Sequence, residues 1–169
     1  NSVSAMSGAR PVVSPPTGYK SADSGVNKGN LSNDGGMAAV VATRTSDGKE
    51  VAFAYDIVNA SKYPDIDLSG FYEGDWTTIS RLKRYVISYL RKTNSADKQR
   101  FIFTLDGKLV QTCPEYGRPG HGDFMVDSDG NEIGIGRSKY DNYTFIKRRL
   151  ADSKITVIGK RNKASHTSA

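Results

Sequence analysis

Residues 75–92 read "DWTTISRLKRYVISYLRK", and the period assigned to this run decides the fold. Ile79, Leu82, Val86, Tyr89 and Leu90 recur at helical spacing, which at about 100° per residue gathers them on one face. Arg81, Arg84, Ser88 and Arg91 fall on the opposite face. Asp75 or Thr77 can cap the start, and Arg91 and Lys92 complement the dipole at the end. "NSADKQ" then breaks the run. The spacing therefore predicts one long amphipathic helix.

On either side of it the chain reads as hairpins. Asp47–Gly48, Asp106–Gly107 and Asp129–Gly130 each sit between runs rich in β-branched or aromatic residues. Asp-Gly between such runs signals a type I′ turn, which needs positive φ at both central positions. Three antiparallel hairpins are expected, near 38–57, 101–112 and 123–136. "YDNYTFIKRRLADSK" fits a short second helix begun by Asp141 better than an edge strand, and "KITVIGK" reads as a final strand. Together these indicate an α+β domain, an antiparallel β-sheet built from hairpins with the helices packed on one face. No internal repeat beyond the turns is visible.

The chain has 169 residues, of which 37% are hydrophobic, a length that suits one domain with part of the chain unpacked. Residues 1–36 are rich in Ser, Gly, Asn and Pro without helical or strand period, so a flexible arm or linker is expected there, able to order on a protein partner. A globular domain is expected over 37–160 and a basic disordered tail over 161–169. There is no run of 18 apolar residues and no basic stretch followed by an apolar one, so a soluble form without a membrane span or intact signal peptide is expected. Cys113 is the single cysteine, which excludes an intramolecular disulfide framework.

The formal net charge is +6, and its distribution carries more information than its total. Lys and Arg outnumber Asp and Glu by 8 to 2 over 76–112 and by 9 to 2 over 137–169, with acidic blocks between them. If the basic blocks share one side of the fold they form a surface for a polyanion, whereas across the fold they neutralise the acidic ones. The helix face has no acidic partner one turn away, unlike a merely solubilising face. Arg81, Arg84, Arg91, Lys92, Lys147, Arg148, Arg149, Lys160 and Arg161 are the expected polyanion-binding residues. The first functional expectation is a basic structural or interaction protein that binds a polyanion, nucleic acid above all, as part of a virion or other larger assembly.

A second constellation is acidic. "CPEYGRPGHGDF", residues 113–124, brings Arg118, His121 and Asp123 close in sequence, and Asp65 and Asp67 lie in another loop. Were these loops to converge, Asp65, Asp67 and Asp123 would be metal ligands for Mg²⁺. His121 would then be the base, with Arg118 on the substrate phosphate. The alternative expectation is thus a small secreted or injected toxin-like effector with nuclease activity. A calcium loop begun at Asp127 fails because Glu132 stands where glycine is required. Cys113 and Arg118 have the wrong spacing for a phosphate-binding cysteine loop, and "GIG" at 134–136 lacks the spacing of a dinucleotide fingerprint.

Overall fold

A computed structural model describes residues 15–21, 28–29, 31–95, 98–113, 124–137 and 144–160. All regular structure among them is β. The strands are β1 (Tyr19–Ser21), β2 (Lys28–Gly29), β3 (Met37–Arg44), β4 (Glu50–Asp56), β5 (Ser61–Lys62), β6 (Ile66–Asp67) and β7 (Phe71–Ile79). There follow β8 (Tyr85–Lys92), β9 (Lys98–Thr104), β10 (Leu109–Cys113), β11 (Phe124–Val126), β12 (Glu132–Arg137), β13 (Thr144–Arg149) and β14 (Ile155–Lys160). They form three sheets. Sheet A runs β1-β3-β4-β5 with β6 also on β4, sheet B runs β10-β9-β8-β7-β2, and sheet C runs β11-β12-β13-β14. Every pairing is antiparallel except that of β2 with β7.

The α+β assignment is therefore corrected: residues 75–92 are not a helix but the end of β7, a turn and β8. Ile79 and Val86, seven apart and so eligible for one helical face, are instead cross-strand partners in a hairpin. Val86 and Leu90 share a face because four is an even number, which satisfies a strand as well as a helix. Lys83 marks the break, with φ of 56° in the turn. The short second helix is corrected likewise. Residues 144–149 form β13, whose side chains alternate between buried and half-buried.

The periodicity misled because sheet B is buried on both faces. A strand so placed reads as a continuous apolar run, and periodicity alone cannot separate that from a buried helix. In β8, Val86 and Leu90 pack with Phe101 and Phe103 against Met37, Ala39, Ala52, Ala54, Ile66 and Leu68 of sheet A and its flank. Ile87 points the other way and packs with Ile102 against Ile146 and Leu150 of sheet C. Sheet B is thus the middle of three layers. Its buried polar pair, Thr77 and Ser88, is satisfied across the strands at 2.9 Å.

The Asp-Gly hairpins are present, one in each sheet. Their turns differ from type I′, since positive φ occurs at Gly48, Gly107 and Gly130 but not at the preceding aspartates. Two of the loops close with Gly107 N and Gly130 N donating to the carbonyls three residues back. The chain then makes a tight turn followed by one left-handed residue.

A repeat also emerges at an offset of 82 residues. "DGKEVAF" at 47–53 and "DGNEIGI" at 129–135 have the same place in sheets A and C. Val51 pairs with Asp67 as Ile133 pairs with Arg149, and Ala52 pairs with Ile66 as Gly134 pairs with Arg148. Leu68 N donates to Glu50 O, and Leu150 N donates to Glu132 O.

A like-for-like pair of truncations tests the strand assignment. Leu90→Ala, deep between sheets A and B, should cost about 2–5 kcal/mol. Leu82→Ala, at a turn and 38% exposed, should cost under about 0.5 kcal/mol. Urea unfolding would measure both, and equal losses would restore a shared helical face.

Candidate functional site

The outer faces of sheets A and C, turned away from sheet B, concentrate the ionic side chains. On sheet A they close on one another. Asp65 receives the Tyr19 hydroxyl at 3.0 Å to each carboxylate oxygen, Arg44 Nη1 at 2.8 Å and Lys62 Nζ at 2.7 Å. Lys62 lies over the Tyr19 and Phe53 rings, and those rings pack 5.1 Å apart. Burial alone would raise the Asp65 pKa, but the hydrogen bonds from Lys62, Arg44 and Tyr19 together outweigh it and hold the group below its ordinary range. Arg44 also pairs with Asp47, whose carboxyl is held down to about 2 chiefly by that guanidinium. Asp67 pairs with Lys49 at 3.5 Å and accepts from Ser69 N at 2.8 Å.

On sheet C the same scaffold carries the opposite charges. Positions 65 and 67 are matched, 82 residues on, by Lys147 and Arg149. Arg44 follows the Thr43–Glu50 pair, and Asp127 follows the corresponding Val126–Glu132 pair. The ion pair Arg44–Asp65 thus has a reversed counterpart in Asp127–Lys147, at 3.4 Å. The Asp127 pKa is lowered mainly by the Asn131 backbone N–H, with Asp129 N and Lys147 adding to it. Lys49 is matched by the neutral Asn131.

These residues line an open recess of about 190 Å³ with Ile133 among its walls, formed by Asp127, Asp129, Asn131, Lys147, Arg149, Lys154 and Thr156. Arg149 Nε is 2.9 Å from Asp152. Lys154 has no ion pair among the described residues. The volume is below that of common small-molecule pockets, about 300–1,000 Å³, and suits a single side chain or a small anionic group.

The structure disperses the expected polyanion-binding residues. Arg81 and Arg84 are exposed at one end of β8, and Arg81 Nε donates to Phe124 O at 3.0 Å. Arg91 and Lys92 lie at the other end, about 20 Å away at roughly 3.3 Å per residue, and Lys92 sits over the Phe101 ring. No helix among the described residues presents these side chains, so the α+β expectation is corrected here too, and the nucleic-acid and nuclease expectations lose the basic helix face they were built on. Of the β13 trio, Lys147 and Arg149 reach the recess while Arg148 is buried on the opposite face beside Gln111. Lys160 ends β14, exposed, and Arg161 lies outside the described residues.

Arg118, His121 and Asp123 also lie outside the described residues. Asp65 and Asp67 are engaged by cations, and no group of three His, Cys, Asp or Glu suited to a metal occurs among the described residues. No helix there is long and apolar enough to cross a membrane. Asn131 and Thr156 were not among the expected site residues, whereas Lys154 belongs to the basic 137–169 block. Aligning "DGKEVAF" with "DGNEIGI" is the signal that finds Asn131, and extending the offset to 65–68 and 147–150 finds β13 with Lys147 and Arg149.

No known protein family matches the chain, and no curated protein matches it. Among solved structures it resembles the hydrazine synthase of Kuenenia stuttgartiensis with a TM-score of 0.43 and 15% identity, over 78% of this chain and 41% of that one. It resembles the β-propeller domain of the Trilobed protease from Pyrococcus furiosus with a TM-score of 0.44 and 10% identity, over 80% and 44%. TolB from Acinetobacter baumannii gives 0.41 and 10%, over 83% and 33%. The chain spans less than half the length of each of these structures. The all-β assignment rests on the strand pairing itself.

The Asp65 cluster sets a pH dependence. Its folded pKa is depressed, so its stabilisation is present above the unfolded value of about 3.9 and is lost as pH falls through the folded value. Asp65→Asn should lower the melting temperature at neutral pH and flatten its fall on acidification below about pH 4. Thermal melts of both proteins across that range would check this, and parallel curves would remove Asp65 from the pH response.

Proposed function

We propose that the chain is a structural or interaction module that binds an anionic group of a partner on the open face of sheet C, within a larger assembly. The observation that carries this reading is Lys154, a cation without an ion pair among the described residues, in a recess shared with Lys147, Arg149 and Thr156. The outer face of sheet A supplies the contrast, because its cations are matched by Asp47, Asp65 and Asp67. The recess binds by charge-assisted hydrogen bonds, with Arg149 and the two ammonium groups as donors. Asp127, paired with Lys147 at 3.4 Å, and Asp129 also line the recess and restrict where in it an anion can be placed.

The test compares two double variants of equal charge change on a sulfated dextran support. Lys147→Gln with Lys154→Gln should weaken retention by about tenfold in affinity, the effect of two contacts of about 0.7 kcal/mol each. Arg81→Gln with Arg84→Gln should leave retention within about twofold of the unmodified chain. Equal losses from the two would show that total charge, not this face, governs binding.

A further inference from the structure

The recess on sheet C is lined by both signs of charge, and most of these charges are already matched. Lys147 meets Asp127 at 3.4 Å, and Arg149 meets Asp152 at 2.9 Å. Two groups are left over. Neither the Asp129 carboxylate nor the Lys154 ammonium has an ion pair or a side-chain hydrogen bond among the described residues, so they are also too far apart to pair with one another. Both line the recess, and each is carried on a turn held by its own backbone. Asp129 N donates to Asp127 Oδ1 at 3.0 Å, while Lys154 N donates to Asp152 Oδ1 at 3.1 Å and Lys154 O accepts from Arg149 N at 2.9 Å.

Sheet A shows what such a carboxylate takes when it is matched. Asp129 of "DGN" has the place of Asp47 of "DGK", and Asp47 accepts Arg44 Nε at 3.1 Å and Arg44 Nη2 at 2.6 Å, a two-point grip. On sheet C the place of Arg44 belongs to Asp127, which has the same sign as Asp129. Asp129 thus keeps the carboxylate of Asp47 without its cation. We infer that the recess holds a zwitterion, with an ammonium or guanidinium on Asp129, as Arg44 stands on Asp47, and a carboxylate on Lys154. This rests on the proposed anion-binding face and names the chemical class it serves, an amino acid that is either free or presented as a pair of side chains by a partner.

The balance of charge selects against simpler ligands. Asp127, Asp129 and Asp152 stand against Lys147, Arg149 and Lys154 in and beside the recess, so it has no net surplus of either sign. An anion alone gains Lys154 but leaves Asp129 unmatched beside it, and a cation alone does the reverse. A ligand with both charges answers both groups by charge-assisted hydrogen bonds. The neutral walls suit the remainder of such a molecule. Asn131 gives its amide N–H to Asp127 at 3.3 Å and keeps its amide oxygen as an acceptor for the cation. Thr156, opposite Lys147 in the strand register, adds a hydroxyl, and Ile133 offers apolar surface to the methylenes between the two charges. The volume of about 190 Å³ fits a short amino acid.

The experiment is an NMR titration of the full chain, at neutral pH and constant ionic strength, with 4-aminobutanoic acid, butanoic acid and butylamine, which share one stem and differ in charge. The zwitterion should shift the amides of 129–131, 147, 149 and 154–156, and bind about tenfold more tightly than either singly charged analogue. Asp129→Asn should reduce its advantage over butanoic acid to under about twofold without weakening butanoic acid itself, and Lys154→Gln should do the same to its advantage over butylamine. Both side chains are exposed, so neither variant should change the melting temperature. A blocked peptide, acetyl-Lys-Gly-Glu-amide, separates the two sources. Tighter binding than 4-aminobutanoic acid supports a zwitterion presented by a partner, and weaker binding supports a free amino acid.

Three results would overturn the inference: no shift with any of these ligands, butanoic acid or butylamine bound as tightly as the zwitterion, or an advantage over butanoic acid that survives Asp129→Asn. A chain that keeps dextran binding sensitive to Lys147 and Lys154 yet shows any of these has the anion-binding face without the zwitterion site. Loss of that sensitivity as well means that the functional reading itself has failed.

Discussion

Sheet B must be apolar on both faces, and the rest of the molecule is arranged around that requirement. Val86, Leu90, Phe101 and Phe103 serve one core, and Ile87 and Ile102 serve the other. A sheet with two such faces cannot stand in water. Sheet A covers one and sheet C the other, so each outer sheet has only one face left for solvent, and the ionic side chains of sheets A and C concentrate there. The contact is held at its rim by Glu132, whose Oε1 accepts the Leu82 N–H at 2.5 Å and so ties the β7–β8 turn to the first residue of β12.

The two outer sheets solve the same backbone problem with different surfaces. Their matched pairings and the two leucine-to-glutamate main-chain bonds fix where each side chain projects. They do not fix its charge. An ion pair across neighbouring strands is as well placed with its signs exchanged, which is why Arg44–Asp65 and Asp127–Lys147 occupy corresponding sites. What differs is the remainder. Asp47 and Asp67 complete the neutralisation on sheet A, whereas on sheet C Asn131 replaces the lysine that would match Lys49, and Lys154 stands beside Arg149 without a counter-ion among the described residues.

The hairpins were legible because Asp-Gly acts locally: the residue that must be left-handed is glycine wherever the pattern occurs. The helix at 75–92 was misread because its clearest apolar positions obey two periods at once. Ile79 and Val86 are one register pair, and Val86 and Leu90 are two strand steps apart. Only long-range contacts distinguish these readings, since β8 acquires its second apolar face from Ile146 and Leu150, some sixty residues on. The recess was only partly legible. Lys147 and Arg149 stood out as basic, but Arg148 between them was indistinguishable until strand alternation sent it to the opposite face.

Charge reversal also decides which surface has capacity for a partner. On sheet A, Tyr19 and the cations have already filled the positions around Asp65, and an incoming anion or strand would have to displace β1 and break several contacts at once. On sheet C, Lys154 is without an ion pair among the described residues, and Met125 and Val126 are exposed. A surface whose charges are mutually satisfied contributes stability but little recognition. On sheet C the charges are equal in number but not all paired, since Lys147 meets Asp127 and Arg149 meets Asp152 while Lys154 has no ion pair among the described residues.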